Sequence, residues 1–243
     1  MDEARVKGIE IRDLISNWGL FKGNKISENH YRLWLEQFDD VFQQRLIYKL
    51  SSNLKFYDEV EIQSKLSNLF RKIQKANKKR IGTKTIYTDE KTTGRKLMNR
   101  KRNNYLVSYV DGPGKSGAYY AKKFADNNNI NSHNVTTPDS LFKKLGQSDN
   151  IDSIVFVDDF IGTGDSISSN LSKFLKSNSD YLMKFEKLSI DIAIIVGFSD
   201  TKHKIESSLS KYFENVSIHI EDILNESDKA FSEQSRMLSL IHI

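Results

Sequence analysis

The residues with the clearest chemical potential lie between Ile154 and Ser166, which read Ile-Val-Phe-Val-Asp-Asp-Phe-Ile-Gly-Thr-Gly-Asp-Ser. Two adjacent carboxylates, Asp158 and Asp159, can accept hydrogen bonds from vicinal hydroxyls. Just beyond them, Gly162-Thr163-Gly164-Asp165-Ser166 places small residues ahead of a helix-compatible run that reaches Lys176. Backbone N–H groups at such a strand-to-helix turn converge on an anion. Hydroxyl acceptors and an anion cradle one sugar apart suit a ribose 5-phosphate. Two other readings stay open on these residues alone. An apolar strand ending in Asp-Asp also suits the Mg²⁺-holding strand of a nucleoside triphosphatase. A Gly-rich turn can also be nothing more than a tight connection.

Positioning these groups falls to the residues before them. Ile154 to Val157 are four apolar, mostly β-branched residues, too few for a surface helix. They predict a strand buried on both faces of a parallel sheet. Such a strand delivers its last residues to the C-terminal sheet edge, where open α/β folds bind ligands.

The pattern of four apolar residues, two acidic ones, two apolar ones and a Thr-Gly-x-Ser turn resembles the phosphoribosyl-diphosphate (PRPP) motif of the type I phosphoribosyltransferases. The resemblance implies that Asp158 and Asp159 face the ribose hydroxyls, while Thr163, Gly164, Asp165 and Ser166, with Gly162 before them, wrap the 5-phosphate. It also implies Mg²⁺, carried in with the diphosphate and met by Asp158 and Asp159, and displacement at C1 of the ribose. Gly162 replaces the Thr, Ser, Ala or Val usual in the family, and Phe160 is larger than the usual aliphatic residue. The Phe-Ile-Gly-Thr-Gly variant, together with Trp34-Leu35-Glu36-Gln37-Phe38, resembles a divergent phosphoribosyltransferase-like branch found in bacterial anti-phage systems. That implies an effector or accessory role there, with a defence-system protein as partner. The motif-level resemblance covers about residues 104–200, and more loosely 28–75.

A departing diphosphate needs its own binding loop. Asp111-Gly112-Pro113-Gly114-Lys115-Ser116-Gly117 follows the first predicted strand and points to the same sheet edge. Its glycines allow close backbone approach and Lys115 supplies a point charge. By position, Lys115, Ser116 and Gly117 match the family's pyrophosphate loop. A P-loop would need glycine at 109, where the chain has Tyr109.

Composition bounds the rest. The chain has 243 residues, a net charge of +5 and no cysteine, which excludes disulfides, thiol catalysis and thiolate metal sites. The five histidines lack metal spacing. No apolar run approaches the ~20 residues that span a bilayer. Met1-Asp2-Glu3 has neither the basic nor the apolar region of a signal peptide, so the expectation is a cytoplasmic protein without membrane contact. Residues 71–102 carry thirteen Lys or Arg against Asp89 and Glu90 alone, a net of +11, leaving −6 for the remainder. Such a segment is an electrostatic footprint for a polyanion, nucleic acid above all.

Along the chain, Tyr31, Trp34, Phe38, Val41 and Phe42 share one face of a helix expected over about 27–51, and read as core. A second helix over 57–76 buries Leu66, Leu69, Phe70 and Ile73. Residues 77–103 read as a basic loop with a short hairpin near Thr85-Ile86-Tyr87. Alternating β and α elements follow. Strands are expected at 105–110, 130–135, 154–157, 188–198 and 216–220, with helices at 118–127, 138–145, 165–176 and 201–212. Ser199-Asp200-Thr201 should lie at the same sheet edge, there to meet a nucleobase or a partner or, the favoured reading, to supply Ser199 or Asp200 as N-cap of the last helix. The fold class is α/β, a doubly wound, mainly parallel, phosphoribosyltransferase-like sheet with an N-terminal helical extension. The boundaries are 1–77 for the extension, 78–103 for the basic loop and 104–243 for the α/β domain.

Overall fold

A computed structural model describes residues 11–16, 20–21, 24–52, 55–81, 102, 104–110, 116–147, 151–182 and 188–228. The chain forms two compact units, residues 1–62 with 225–243, and residues 63–224. Among the described residues, no helix is long and apolar enough to cross a membrane.

In the first unit, β1 (Leu20–Phe21) and β2 (Asn24–Lys25) pair antiparallel, and helices α1 (Glu28–Leu35) and α2 (Val41–Ser52) follow. Ser27 caps α1, its hydroxyl accepting from the His30 N–H. The single helix expected over 27–51 is therefore two. Asp40 explains the break: its carboxylate accepts the Phe42 N–H and its carbonyl accepts the Gln44 N–H, so a new helix starts there. The interruption rotates one half of the apolar stripe away from the other. Tyr31 is buried, but Trp34 is 40%, Val41 59% and Phe42 69% exposed, so the stripe is not the core that its spacing predicts.

The second unit holds most of α3 (Glu59–Ile81) and a four-stranded sheet, in which β3 (Tyr105–Ser108) is followed by α4 (Ser116–Asn127) and α5 (Leu141–Gly146). Then come β4 (Ser153–Ile161), α6 (Asp165–Leu182), β5 (Ser189–Phe198), α7 (Ser199–Leu209) and β6 (Val216–Leu224). The sheet order is β3-β4-β5-β6, with every pair parallel. The strand expected at 130–135 shrinks to one parallel bridge, Val135 to Val107, on the outer side of β3. Asn131 accounts for this, because its side chain takes the His133 N–H and curls residues 132–134 into a 3₁₀ turn. Pro138–Ser140 is likewise a 3₁₀ turn ahead of α5. The expected hairpin at 85–87 and most of the basic loop lie outside the described residues.

Strand alternation sorts the core onto two faces. Ile154, Phe156, Ile190, Ile192 and Ile194 join one cluster with Leu141, Leu171, Leu175, Ile205 and Leu209 of α5, α6 and α7. On the other face Phe70 of α3 meets Tyr105 and Phe124 edge-on, with ring centroids 5.1 and 5.8 Å apart. Helices thus cover both faces, and the sheet is doubly wound. After β3 the chain steps outward to Val135, then returns across the sheet to β4. The topological switch point therefore falls between β3 and β4, the place where such folds open a ligand crevice.

A polar cluster on the α3 face ties that helix to the sheet. Asp191, fully buried in β5, accepts from Ser153 Oγ (2.6 Å), Ser189 Oγ (3.1 Å), Asn77 Nδ2 (3.2 Å) and His219 Nε2 (2.8 Å). Burial pushes the neighbouring Tyr105 phenol up to about 12, against a hydrogen bond with Asn77 and with help from the Asp191 and Asp152 charges. A raised pKa means that stability is intact below the ordinary value near 10 and falls as pH rises towards 12. About two units correspond to roughly 2–3 kcal/mol by pH 12. Urea midpoints measured between pH 9 and 12 should fall more steeply for wild type than for Tyr105→Phe. Parallel curves would remove Tyr105 as the cause.

Candidate functional site

Strand β4 runs to Ile161, so the acidic pair lies inside the ladder and not beyond it as the apolar run alone suggests. Asp158 pairs in register with Ile194, and Phe160 with Val196. Pairing of this kind fixes both carboxylates on a rigid element. Each is locked further by the next backbone N–H: that of Asp159 donates to Asp158 Oδ1 and that of Phe160 to Asp159 Oδ1, both at 3.0 Å.

The loop 162–164 leads straight into α6. Gly164 takes φ +77°, a left-handed conformation, and its carbonyl accepts the Ser168 N–H as the helix begins. An L side chain is strained there. Space forbids one as well, since a β-carbon at 164 would lie 2.6 Å from Thr201 Cγ2 and 2.9 Å from Ile205 Cδ1. Gly162 is different: its β-carbon would meet only Phe160 Cε1, at an ordinary 3.5 Å. The Asp165 N–H reaches Thr163 Oγ1 at 3.5 Å. The first N–H groups of an α-helix have no intrahelical partner, and the helix dipole adds positive potential at that end. Residues 161–167 with Asp158 and Phe160 line a cavity of about 320 Å³, so the Asp158 carboxylate and the start of α6 border one space.

Helix α4 brings in the second half of the site. Ser116 Oγ donates to Asp159 Oδ1 at 2.9 Å. Gly117 is buried, and a β-carbon there would lie 3.2 Å from Tyr109 Cβ and 3.8 Å from Asp158 Oδ1. The structure therefore gathers Asp158, Asp159, Ser116, Gly117 and residues 162–166 at one sheet edge. Lys115, with the rest of 111–115, lies outside the described residues. Among the described residues, no group of three or more His, Asp or Glu side chains could hold a metal ion by itself.

Helix α7 contributes residues that sequence reasoning did not select for the loop. Thr201 Oγ1 donates to the Gly162 carbonyl at 2.7 Å, Ile205 packs under Gly164, and Lys204 Nζ reaches the Thr163 carbonyl (3.3 Å) and Asp165 Oδ1 (2.6 Å). The expected N-cap is also corrected, because α7 begins at Ser199 with Phe198 as N-cap and no side-chain cap bond. Thr201, in the first turn of this helix, faces the loop. Its spacing to 204 and 205 is the local signal, an i, i+3, i+4 face. Lys204 and Thr163 hold the Asp165 carboxyl below its ordinary range.

No curated protein and no solved structure is significantly similar to the chain. The PRTase-CE family model, however, matches residues 31–242, spanning most of α1, all of α2 and α3, the whole sheet and every residue of the site. The chain thus belongs to PRTase-CE, a family of the phosphoribosyltransferase type.

Proposed function

We propose that the chain binds PRPP, or a related ribose 5-phosphate, together with Mg²⁺ at the C-terminal edge of β4. The observation that carries this reading is the single cavity joining Asp158 to the start of α6. The backbone N–H groups of Gly162 to Ser166, Asp165 included, and the Thr163 and Ser166 hydroxyls take the 5-phosphate, and Asp158 and Asp159 take the ribose hydroxyls. Ser116, Gly117 and Lys115 serve the diphosphate. Two adjacent carboxylates, with no group of three acidic or imidazole ligands among the described residues, suit Mg²⁺, which keeps several waters and leans on substrate phosphates. Asp158 and Asp159 would offer the ion oxygen ligands, and when bound it would supply neutralisation of the diphosphate charge. If the protein turns substrate over, Lys115 and the amides around Ser116 stabilise the leaving diphosphate as C1 is displaced. The Phe160–Gly164 and Trp34–Phe38 segments support an effector or accessory role in an anti-phage system.

Thermal denaturation with PRPP tests this reading. A ligand binding only the folded state adds about 2.7 kcal/mol at a hundredfold excess over Kd, a shift of several degrees. The shift should require Mg²⁺. Asp158→Asn/Asp159→Asn should weaken PRPP binding at least tenfold, about 1.4 kcal/mol, without changing the melting point of the protein alone. Wild type that melts identically with and without PRPP would overturn the proposal.

The +11 charge of residues 71–102 favours a second reading, a non-catalytic ribose-phosphate or nucleotide sensor that docks on nucleic acid or a partner protein through this segment; salt tests the nucleic-acid form. Binding by phosphate contacts should weaken steeply with salt, with a log–log slope of about −0.9 per phosphate on duplex DNA. Salt-insensitive binding would rule that form out.

A further inference from the structure

The loop that opens α6 carries an acidic residue where an anion is to bind. Asp165 is the first residue of the helix, its side chain is 69% exposed, and a carboxylate at that position is itself favoured by the helix dipole. A phosphate entering the same helix end meets this charge. Lys204 answers it from a different element. Its ammonium lies 2.6 Å from Asp165 Oδ1 and 3.3 Å from the Thr163 carbonyl, so it sits on the rim of the cradle. Helix α7 fixes its base, because Thr201 and Ile205, three residues before and one after, are both packed on the loop. An ammonium has three N–H donors and these two contacts use two. The third is available to a phosphate oxygen.

We infer that Lys204 is a phosphate-binding and specificity-determining residue of this site, and that Asp165 competes with the ligand's phosphate monoester for it. The inference rests on the ribose-phosphate reading above and names the charge state it selects, a dianionic 5-phosphate. Lys204 offsets the Asp165 charge and adds a charge-assisted hydrogen bond that strengthens with the charge of the phosphate, while Asp165 keeps the lysine on the rim and weakens its hold on the ligand. A phosphate monoester carries close to two charges at pH 8 and about one at pH 5, since its second pKa lies near 6. Asp165 stays ionised at both, because its carboxyl is held below the ordinary value of 3.8.

Calorimetric titration with ribose 5-phosphate at pH 8 and pH 5 tests this on wild type, Lys204→Gln, Lys204→Arg and Asp165→Asn, each checked by thermal melting. At pH 8, Lys204→Gln should lose about tenfold in affinity, the size expected for one charge-assisted hydrogen bond. Lys204→Arg should recover most of it, and Asp165→Asn should bind roughly threefold or more tighter than wild type. At pH 5 the Lys204→Gln loss should shrink to a few-fold. An equal loss at both pH values would assign Lys204 to loop structure alone and overturn the inference. So would Lys204→Gln binding as wild type does, or Asp165→Asn binding no tighter. Wild type that binds neither PRPP nor ribose 5-phosphate would instead overturn the reading beneath it, and the inference with it.

Discussion

Gly164→Ala should cost about 2–5 kcal/mol of folding stability and remove measurable ribose-phosphate binding. Two independent terms add. Holding a non-glycine residue in the left-handed region costs about 1–2 kcal/mol, and Gly164 sits there at φ +77°. Forcing a methyl group into a filled space costs about 1–3 kcal/mol. Here it would stand 2.6 Å from Thr201 Cγ2 and 2.9 Å from Ile205 Cδ1, closer than real β-carbons approach other atoms. Relief can come from moving α7 or from re-forming the loop. Either disturbs the Thr201 bond to Gly162 and the N–H groups that open α6, so binding fails with packing. Gly162→Ala is the control. Its β-carbon meets one ring atom at 3.5 Å, and its stability should stay within about 0.5 kcal/mol of wild type. Urea denaturation of the two variants separates the outcomes, and a Gly164→Ala midpoint equal to that of Gly162→Ala would refute the packing argument.

This contrast marks how far the sequence could be read. Ile154–Val157 announce a buried parallel strand because the signal is local and four residues long. The turn after Asp159 announces a tight strand-to-helix connection for the same reason. Which of its two glycines is obligatory is not local information. Gly164 is constrained by Thr201 and Ile205, about forty residues away, and Lys204 reaches the loop across the same gap. The N-terminal aromatic stripe failed through a different cause. Its i, i+3, i+4 spacing is genuine within α1, but Asp40 restarts the helix, and periodicity cannot be carried across a break that one capping carboxylate decides. Val135 shows the reverse error, where a segment β-branched only at its ends, Ile130 and Val135, lost its strand to an Asn131 side chain. The basic segment 71–102 was legible as charge, and charge alone specifies no geometry.

A stability effect of comparable size is expected of a substitution away from the loop, at Asp191. Its position in Ser-Ile-Asp-Ile-Ala-Ile-Ile-Val made it a carboxylate inside an otherwise apolar strand, and the structure shows what it anchors. Four side chains converge on it, from α3 (Asn77), β4 (Ser153), β5 (Ser189) and β6 (His219). Ionised, the carboxylate only accepts, so His219 Nε2 carries the proton in this contact. Asp191→Ala would strand these donors where water does not reach, and breaking a buried charged partnership of this kind costs about 3–5 kcal/mol. Ser189 keeps alternatives in Asn77 Oδ1 and the Asp152 carbonyl, which places the cost towards the lower end. Asp191→Asn preserves shape but turns one acceptor into a donor facing Ser153 or His219, and should fall between Asp191→Ala and wild type. Paired with His219→Ala, Asp191→Ala should be less than additive, because each change already removes the 2.8 Å contact. Additive losses would mean that His219 contributes by packing alone. The cluster sits near the N-terminal ends of β4 and β5, whereas the loop and acidic pair lie at the C-terminal edge. If Asp191→Ala remains folded, it should therefore keep its PRPP affinity. Loss of affinity in a protein that still unfolds cooperatively would instead tie α3 and its polar anchor to the geometry of the site.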